Sequence, residues 1–161
     1  MTETAEKTRL RDHARQARAA KRAEAEAIGI DEDFISEMAE GFYASIRQDD
    51  LLGPIFAARI AEWPPHLARM KQFWRSVLHN SGEFSGNPMV KHIAIPGLTE
   101  QHFSRWLELF YANLRQMNPG PQAVELVGQR ARMIAESLLT GIAIDRDGIG
   151  GAIERRSLPH V

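Results

Sequence analysis

Six histidines and no cysteine define the coordination chemistry open to this chain. Without thiols, a bound metal must be held by His, carboxylate or Met, and disulfides and thiol catalysis are excluded. The histidines are His13, His66, His79, His92, His102 and His160. His13 and His160 fall in weakly structured ends. His79 closes a predicted helix, where a cation complements the dipole, and His102 is expected on the polar side of its helix. His66 precedes Met70 by four residues and shares the apolar side of that helix. His92 lies in an irregular segment bracketed by Pro88 and Pro96. Such a pair could flank a flat cofactor such as heme, which needs an axial ligand, commonly His. Phe42, Phe56, Phe73, Trp74, Phe103 and Trp106 could supply an apolar slot. Each feature also has a plainer reading: a satisfied core histidine, an exposed loop histidine, an ordinary aromatic core. On residue types alone, heme is one option among several.

The elements that must position these residues are helical. The 161 residues suggest one domain, and 43% apolar composition suffices for one core. Residues 4–27 are charged and Ala-rich, with both signs mixed, which fits a solvated surface helix or extension. Asp31 can cap a helix carrying Phe34, Ile35, Met38, Phe42 and Ile46, with Tyr43 beside that stripe. Asp49-Asp50 opens a short segment containing Gly53-Pro54. Trp63-Pro64-Pro65 opens a helix whose apolar face is Met70, Phe73, Trp74 and Val77, proline being tolerated in the first turn. Residues 89–98 are too interrupted for a long helix. Thr99 caps the next, with Phe103, Trp106, Leu107, Phe110 and Leu114. After Asn118-Pro119-Gly120-Pro121, the last long helix carries Val124, Val127, Ala131, Ile134, Leu138 and Ile142. No window alternates at period two. The expected class is all-α, with four main helices.

The formal net charge of −1 leaves no basic field for nucleic acid or a membrane surface. No apolar run approaches a membrane span, and no signal core opens the chain. A cytoplasmic location is expected, with no nucleic acid and no membrane as partner.

Several motifs agree in order and spacing with one family. Phe42-Tyr43, Asp50-Leu51-Leu52-Gly53-Pro54-Ile55-Phe56, Trp63-Pro64-Pro65-His66 with Met70 and Phe73-Trp74, Gly86-Asn87-Pro88 with His92, and His102-Phe103-Ser104-Arg105-Trp106-Leu107 together resemble a group III truncated hemoglobin over about residues 31–143. The resemblance implies a two-over-two helical globin with an N-terminal helical extension. The expected domains are an extension at 1–30, a globin domain at 31–143 and a flexible tail at 144–161. It implies heme b (iron protoporphyrin IX), with His92 as the metal ligand. Tyr43, His66 and Trp106 become polar residues of the distal pocket. Phe42, Phe56, Met70, Phe73 and Phe103 become pocket walls, and Arg69 a contact to a heme propionate. The Pro64-Pro65 pair could alter where the distal helix begins, and with it the pose of His66.

The implied partners are a diatomic gas (oxygen, carbon monoxide or nitric oxide) and an unidentified reductase. No residue is assigned as catalytic. Heme-dependent peroxidase or nitric oxide dioxygenase activity stays open, because no residue separates an enzyme from a binder. A cofactor-free helical interaction module and a small metal site using His92 and His102 are the rivals from other classes.

Overall fold

The structure, a computed structural model, describes residues 2–153 and 157–161. Seven α-helices run in order: α1 (Thr2–Ala27), α2 (Glu32–Gln48), α3 (Gly53–Arg59), α4 (Trp63–His79), α5 (Pro88–Ile93), α6 (Glu100–Met117) and α7 (Pro121–Asp147). No strand occurs among the described residues. The four long helices after α1 form the domain as two layers: α2 packs on α4, α6 packs on α7, and α2 crosses onto α6. This is the two-over-two arrangement.

Local chemistry sets the boundaries. Asp31 is extended and its carboxylate accepts the Phe34 N–H at 2.8 Å, starting α2. Its stripe of Phe34, Ile35, Met38, Phe42 and Ile46 is buried, each side chain stabilising the fold by roughly 1.5–3 kcal/mol on leaving water. Asp49 ends α2 and turns the chain, accepting the Leu51 and Leu52 N–H groups at 3.2 and 3.0 Å. It also pairs with Arg105 on α6 at 2.7 Å, so the corner is tied to the opposite layer. Pro64 and Pro65 sit in the first turn of α4, where absent N–H donors cost nothing, and α4 is unbroken from Trp63. Asn80 and Asn118 end α4 and α6 in left-handed conformations, φ 54° and 52°. The α2–α6 crossing is close: a Cβ on Gly41 would come within 2.5 Å of Asn113 Oδ1, while Asn113 Nδ2 donates to Met38 O at 3.0 Å.

Both ends of the chain and His79 are more buried than the sequence alone indicates. α7 runs past 143 to Asp147, and Leu158, Pro159 and Val161 pack onto the domain. Leu158 is buried, Tyr111 Oη donates to Pro159 O at 2.8 Å, and Val161 occupies the space a Cβ on Gly128 would fill. That bare glycine is what lets the end of the chain lie on α7. His79 closes α4 and is buried there, with Nε2 2.6 Å from Ile30 O. The extension likewise does not stop cleanly at 30, because Ile30 is fully buried and Ala25 is in the core.

Candidate functional site

A cavity of about 540 Å³ lies between the layers, in the range of small-molecule sites. Every helix from α2 to α7 contributes to its wall, as does the loop carrying Phe84.

α5 presents His92. Asn87 caps this short helix, its side chain accepting the Val90 N–H at 3.3 Å, and Pro88 takes the first position. His92 Nδ1 lies 2.6 Å from Pro88 O. A carbonyl only accepts, so Nδ1 carries the proton and Nε2 keeps its lone pair. Nε2 has no partner among the described residues. An imidazole oriented by a carbonyl on one nitrogen, with the other free at a cavity, is the arrangement of a metal-ligating histidine.

His66 comes from the first turn of α4, so the double proline does not displace it. Its Nε2 is buried without a hydrogen-bond partner among the described residues. The ring stands edge-on to Tyr43 at 5.3 Å and to Trp63 at 5.6 Å. Burial, then the charges of Lys91 and Arg69, hold its pKa below the usual histidine range, so the imidazole is neutral near pH 7. Tyr43 is buried, and burial pushes its phenol up, keeping it a neutral hydroxyl. Neither that hydroxyl nor the Trp106 indole N–H has a hydrogen-bond partner among the described residues. Trp106 is fixed by stacking on Phe110 at 5.5 Å. The cavity is therefore lined by three polar groups that the protein leaves unspent.

Phe56, Met70, Phe73 and Phe103 line the cavity. Phe42 does not. It is fully buried one layer behind, edge-on to Tyr43 at 5.1 Å and to Trp106 at 5.2 Å. It supports the wall instead of forming it, because α6 covers that side of α2. Arg69 also lines the cavity; it lies over the Phe84 ring at 5.4 Å, with Nη2 3.4 Å from Ser85 O.

Sequence reasoning missed Arg59, Lys91 and His102, which line the cavity too. Lys91 could have been found, being next to His92. His102 is not on a purely polar side: it occupies the position three residues after Thr99 in a capping box, Nδ1 accepting the Thr99 N–H at 3.1 Å. No Asp or Glu lines the cavity among the described residues, although Arg59, Arg69 and Lys91 do. No group of three or more His, Asp or Glu side chains converges as a metal site among the described residues.

The chain is 34% identical over 110 residues to the group 3 truncated hemoglobin ctb of Campylobacter jejuni, covering 66% of this chain and 86% of that protein. The chain belongs to the group 3 truncated hemoglobins. Among solved structures it is similar to the crystal structure of the group III truncated hemoglobin from Campylobacter jejuni, with a TM-score of 0.66 and 32% identity, covering 70% of this chain and 91% of that one. No family model matches the chain.

The cavity of this truncated hemoglobin fits heme in its donor set. A free imidazole lone pair suits iron, the aromatic walls suit a flat macrocycle, and a cationic, carboxylate-free lining suits the two carboxylates that heme carries. The orphaned His66 Nε2 is a buried polar atom whose cost an occupant can offset.

Proposed function

We propose that this truncated hemoglobin holds heme b (iron protoporphyrin IX) through His92 Nε2 and binds a diatomic ligand beside Tyr43, His66 and Trp106. The observation that carries the reading is the His92 imidazole, tied through Nδ1 to Pro88 O and free at Nε2 on an apolar cavity. Bound heme supplies an iron with a coordination position for oxygen, carbon monoxide or nitric oxide. The Pro88 carbonyl orients the His92 ring and raises its basicity. Arg59, Arg69 and Lys91 provide cations for carboxylates at the cavity. The Tyr43 hydroxyl and the Trp106 indole N–H donate to a ligand carrying partial negative charge, and each such bond is worth about 1.5–3 kcal/mol. Neutral His66 donates or accepts through Nε2. The aromatic cluster of Tyr43, Phe56, Trp63 and His66 excludes water, which strengthens those bonds.

Strong unspent donors favour ligand retention or activation. The same donors polarise an oxygen–oxygen bond, as redox detoxification of nitric oxide or peroxide requires. Turnover with a reductant separates that activity from simple binding. The proposal itself is tested by the visible spectrum of heme-loaded protein in ferric, ferrous and carbon monoxide forms. A sharp Soret band that shifts through the three forms and is lost in His92→Ala supports it. A broad band that does not shift at stoichiometric protein refutes it.

A further inference from the structure

The charges of α1 look evenly mixed by composition, but the helix sorts them. At about 100° per residue, Lys7, Arg11, Arg15, Arg18, Lys21 and Arg22 fall within about one third of the circumference. Ala25, the buried residue by which the end of α1 joins the core, lies in the middle of that same face. The basic face therefore starts where α1 packs on α4 and continues outward along a part of the helix whose residues are all exposed. Its two ends are neutralised: Lys7 pairs with Glu3 at 2.6 Å, and Arg22 with Glu26 and Glu32 at 2.7 and 3.4 Å. Arg11, Arg15 and Arg18 in the middle have no ion-pair partner among the described residues.

The face is also continuous with the cavity. Arg18 lies over Gly82, where an added Cβ would be 3.3 Å from Nη2, and Gly86 is closer still to Arg69, at 2.9 Å from its Nη2. One short loop thus has Arg18 at its start and Arg69 at its end, and carries cavity-lining Phe84 between them. Lys91 lines the same cavity as Arg69. A track of cations runs from the free part of α1 to the cavity, interrupted on the loop by Glu83, which Arg75 neutralises at 2.8 Å, in a chain whose net charge is only −1.

We propose that the α1 end of this track, Arg11, Arg15 and Arg18, docks an acidic one-electron carrier protein that delivers an electron to the cavity. The charge calls for an acidic face, and its ending at the cavity places that partner where a bound heme would be reached. One electron passes from the carrier to ferric iron, giving ferrous iron and the oxidised carrier, with no proton transferred. The electron transfer rests on the heme reading; the docking does not. A lipid surface is disfavoured because Leu10 is the one large apolar side chain exposed on α1.

The test uses a reduced acidic two-iron–two-sulfur ferredoxin mixed with ferric holoprotein, followed at the Soret band across a salt series. Oxidised ferredoxin is also titrated into the protein without heme. The second-order rate should fall steeply with salt. In Arg11→Glu/Arg15→Glu/Arg18→Glu it should drop by about 10- to 100-fold at low salt, while reduction by dithionite, helicity and thermal midpoint stay unchanged. A salt-insensitive rate, or a triple variant reduced at the wild-type rate, overturns the proposal. So does tighter binding to anionic vesicles or DNA than to ferredoxin, lost in the same variant. Ferredoxin binding that is intact and charge-dependent in a protein that forms no Soret band upholds the docking surface and refutes the heme reading.

Discussion

The chain has two tyrosines, Tyr43 and Tyr111, both buried, and their hydroxyls stand in opposite situations. Tyr111 Oη donates to Pro159 O at 2.8 Å. Tyr43 Oη lines the cavity with no protein partner. Removing each hydroxyl therefore separates a structural role from a ligand-binding one. Tyr111→Phe deletes a made hydrogen bond and should cost about 0.5–1.5 kcal/mol of folding stability, with ligand rates unchanged. Tyr43→Phe has no such bond to lose, so stability without ligand should hold within about 1 kcal/mol. It does lose a donor to a ligand carrying partial negative charge, worth about 1.5–3 kcal/mol, so oxygen dissociation should speed up by about one to two decades. Carbon monoxide carries much less charge, and its dissociation should change far less. Burial keeps the Tyr43 phenol protonated, so the difference should persist from neutral to mildly alkaline pH. The assay is stopped-flow ligand replacement for the rates and urea unfolding for stability, on both variants. Oxygen and carbon monoxide rates that respond equally in Tyr43→Phe, or a stability loss as large as in Tyr111→Phe, would refute a donor held in reserve for the ligand.

Three further outcomes follow from the same geometry. His66→Leu removes a buried nitrogen that has no partner, so the protein without heme should gain about 1 kcal/mol in urea unfolding; a loss would show that Nε2 is satisfied in the free protein. Burial alone would raise the Asp49 carboxyl, but hydrogen bonds from Arg105 and from the Leu52 and Leu51 N–H groups, with the Arg105 charge, hold it below the usual range. Its contribution is thus complete above the unfolded carboxylate pKa of about 4 and is lost as pH falls through the lower folded value. Arg105 is partly exposed, so Asp49→Asn should cost up to about 1 kcal/mol at pH 7 and progressively less in acid unfolding series; an equal cost throughout would contradict the assignment. Met89, three residues before His92, lies where a Cβ on Gly141 would stand. Gly141→Ala should cost about 1–3 kcal/mol by overpacking, be partly restored by Met89→Ala, and alter the Soret band by moving α5; an unchanged midpoint and spectrum would show that α5 is not seated on this glycine.

Periodicity located the helices well, because the stripes of α2, α4, α6 and α7 are long and their caps are local chemistry. It did not report depth. Tyr43 is next to Phe42 at the edge of its stripe, and only tertiary packing puts Phe42 behind the wall and Tyr43 on it. The burial of His79 was not legible for a similar reason: its helix end is local, whereas the carbonyl of Ile30 that receives it is 49 residues away. The end of the chain has no periodicity, yet it docks because Gly128 leaves a notch. Arg59 and Lys91 carry no motif of their own, and tertiary placement alone makes them part of the cavity. In α1, composition averaged away a charge asymmetry that the helical twist makes plain. His66 and His92, by contrast, stood out from the motifs, His66 in the first turn of α4 beside Pro64-Pro65 and His92 in the last turn of the short α5 that Pro88 begins.

The unspent polar groups bear on why the cavity exists at all. A fold under selection for stability alone would pair His66 Nε2, or replace it with an apolar side chain, since a buried unpaired group costs about 1–3 kcal/mol. The α2–α6–α7 core supplies the stability that offsets this. An occupant recovers it, because binding only the folded state adds stability by mass action, about 4 kcal/mol at a free concentration 1,000 times the dissociation constant. Heme should therefore raise the thermal midpoint of the wild-type protein strongly. It should do so much less in His92→Ala, which keeps the aromatic walls but loses the iron ligand. Equal shifts in the two proteins would mean that apolar burial, and not coordination, holds whatever the cavity binds.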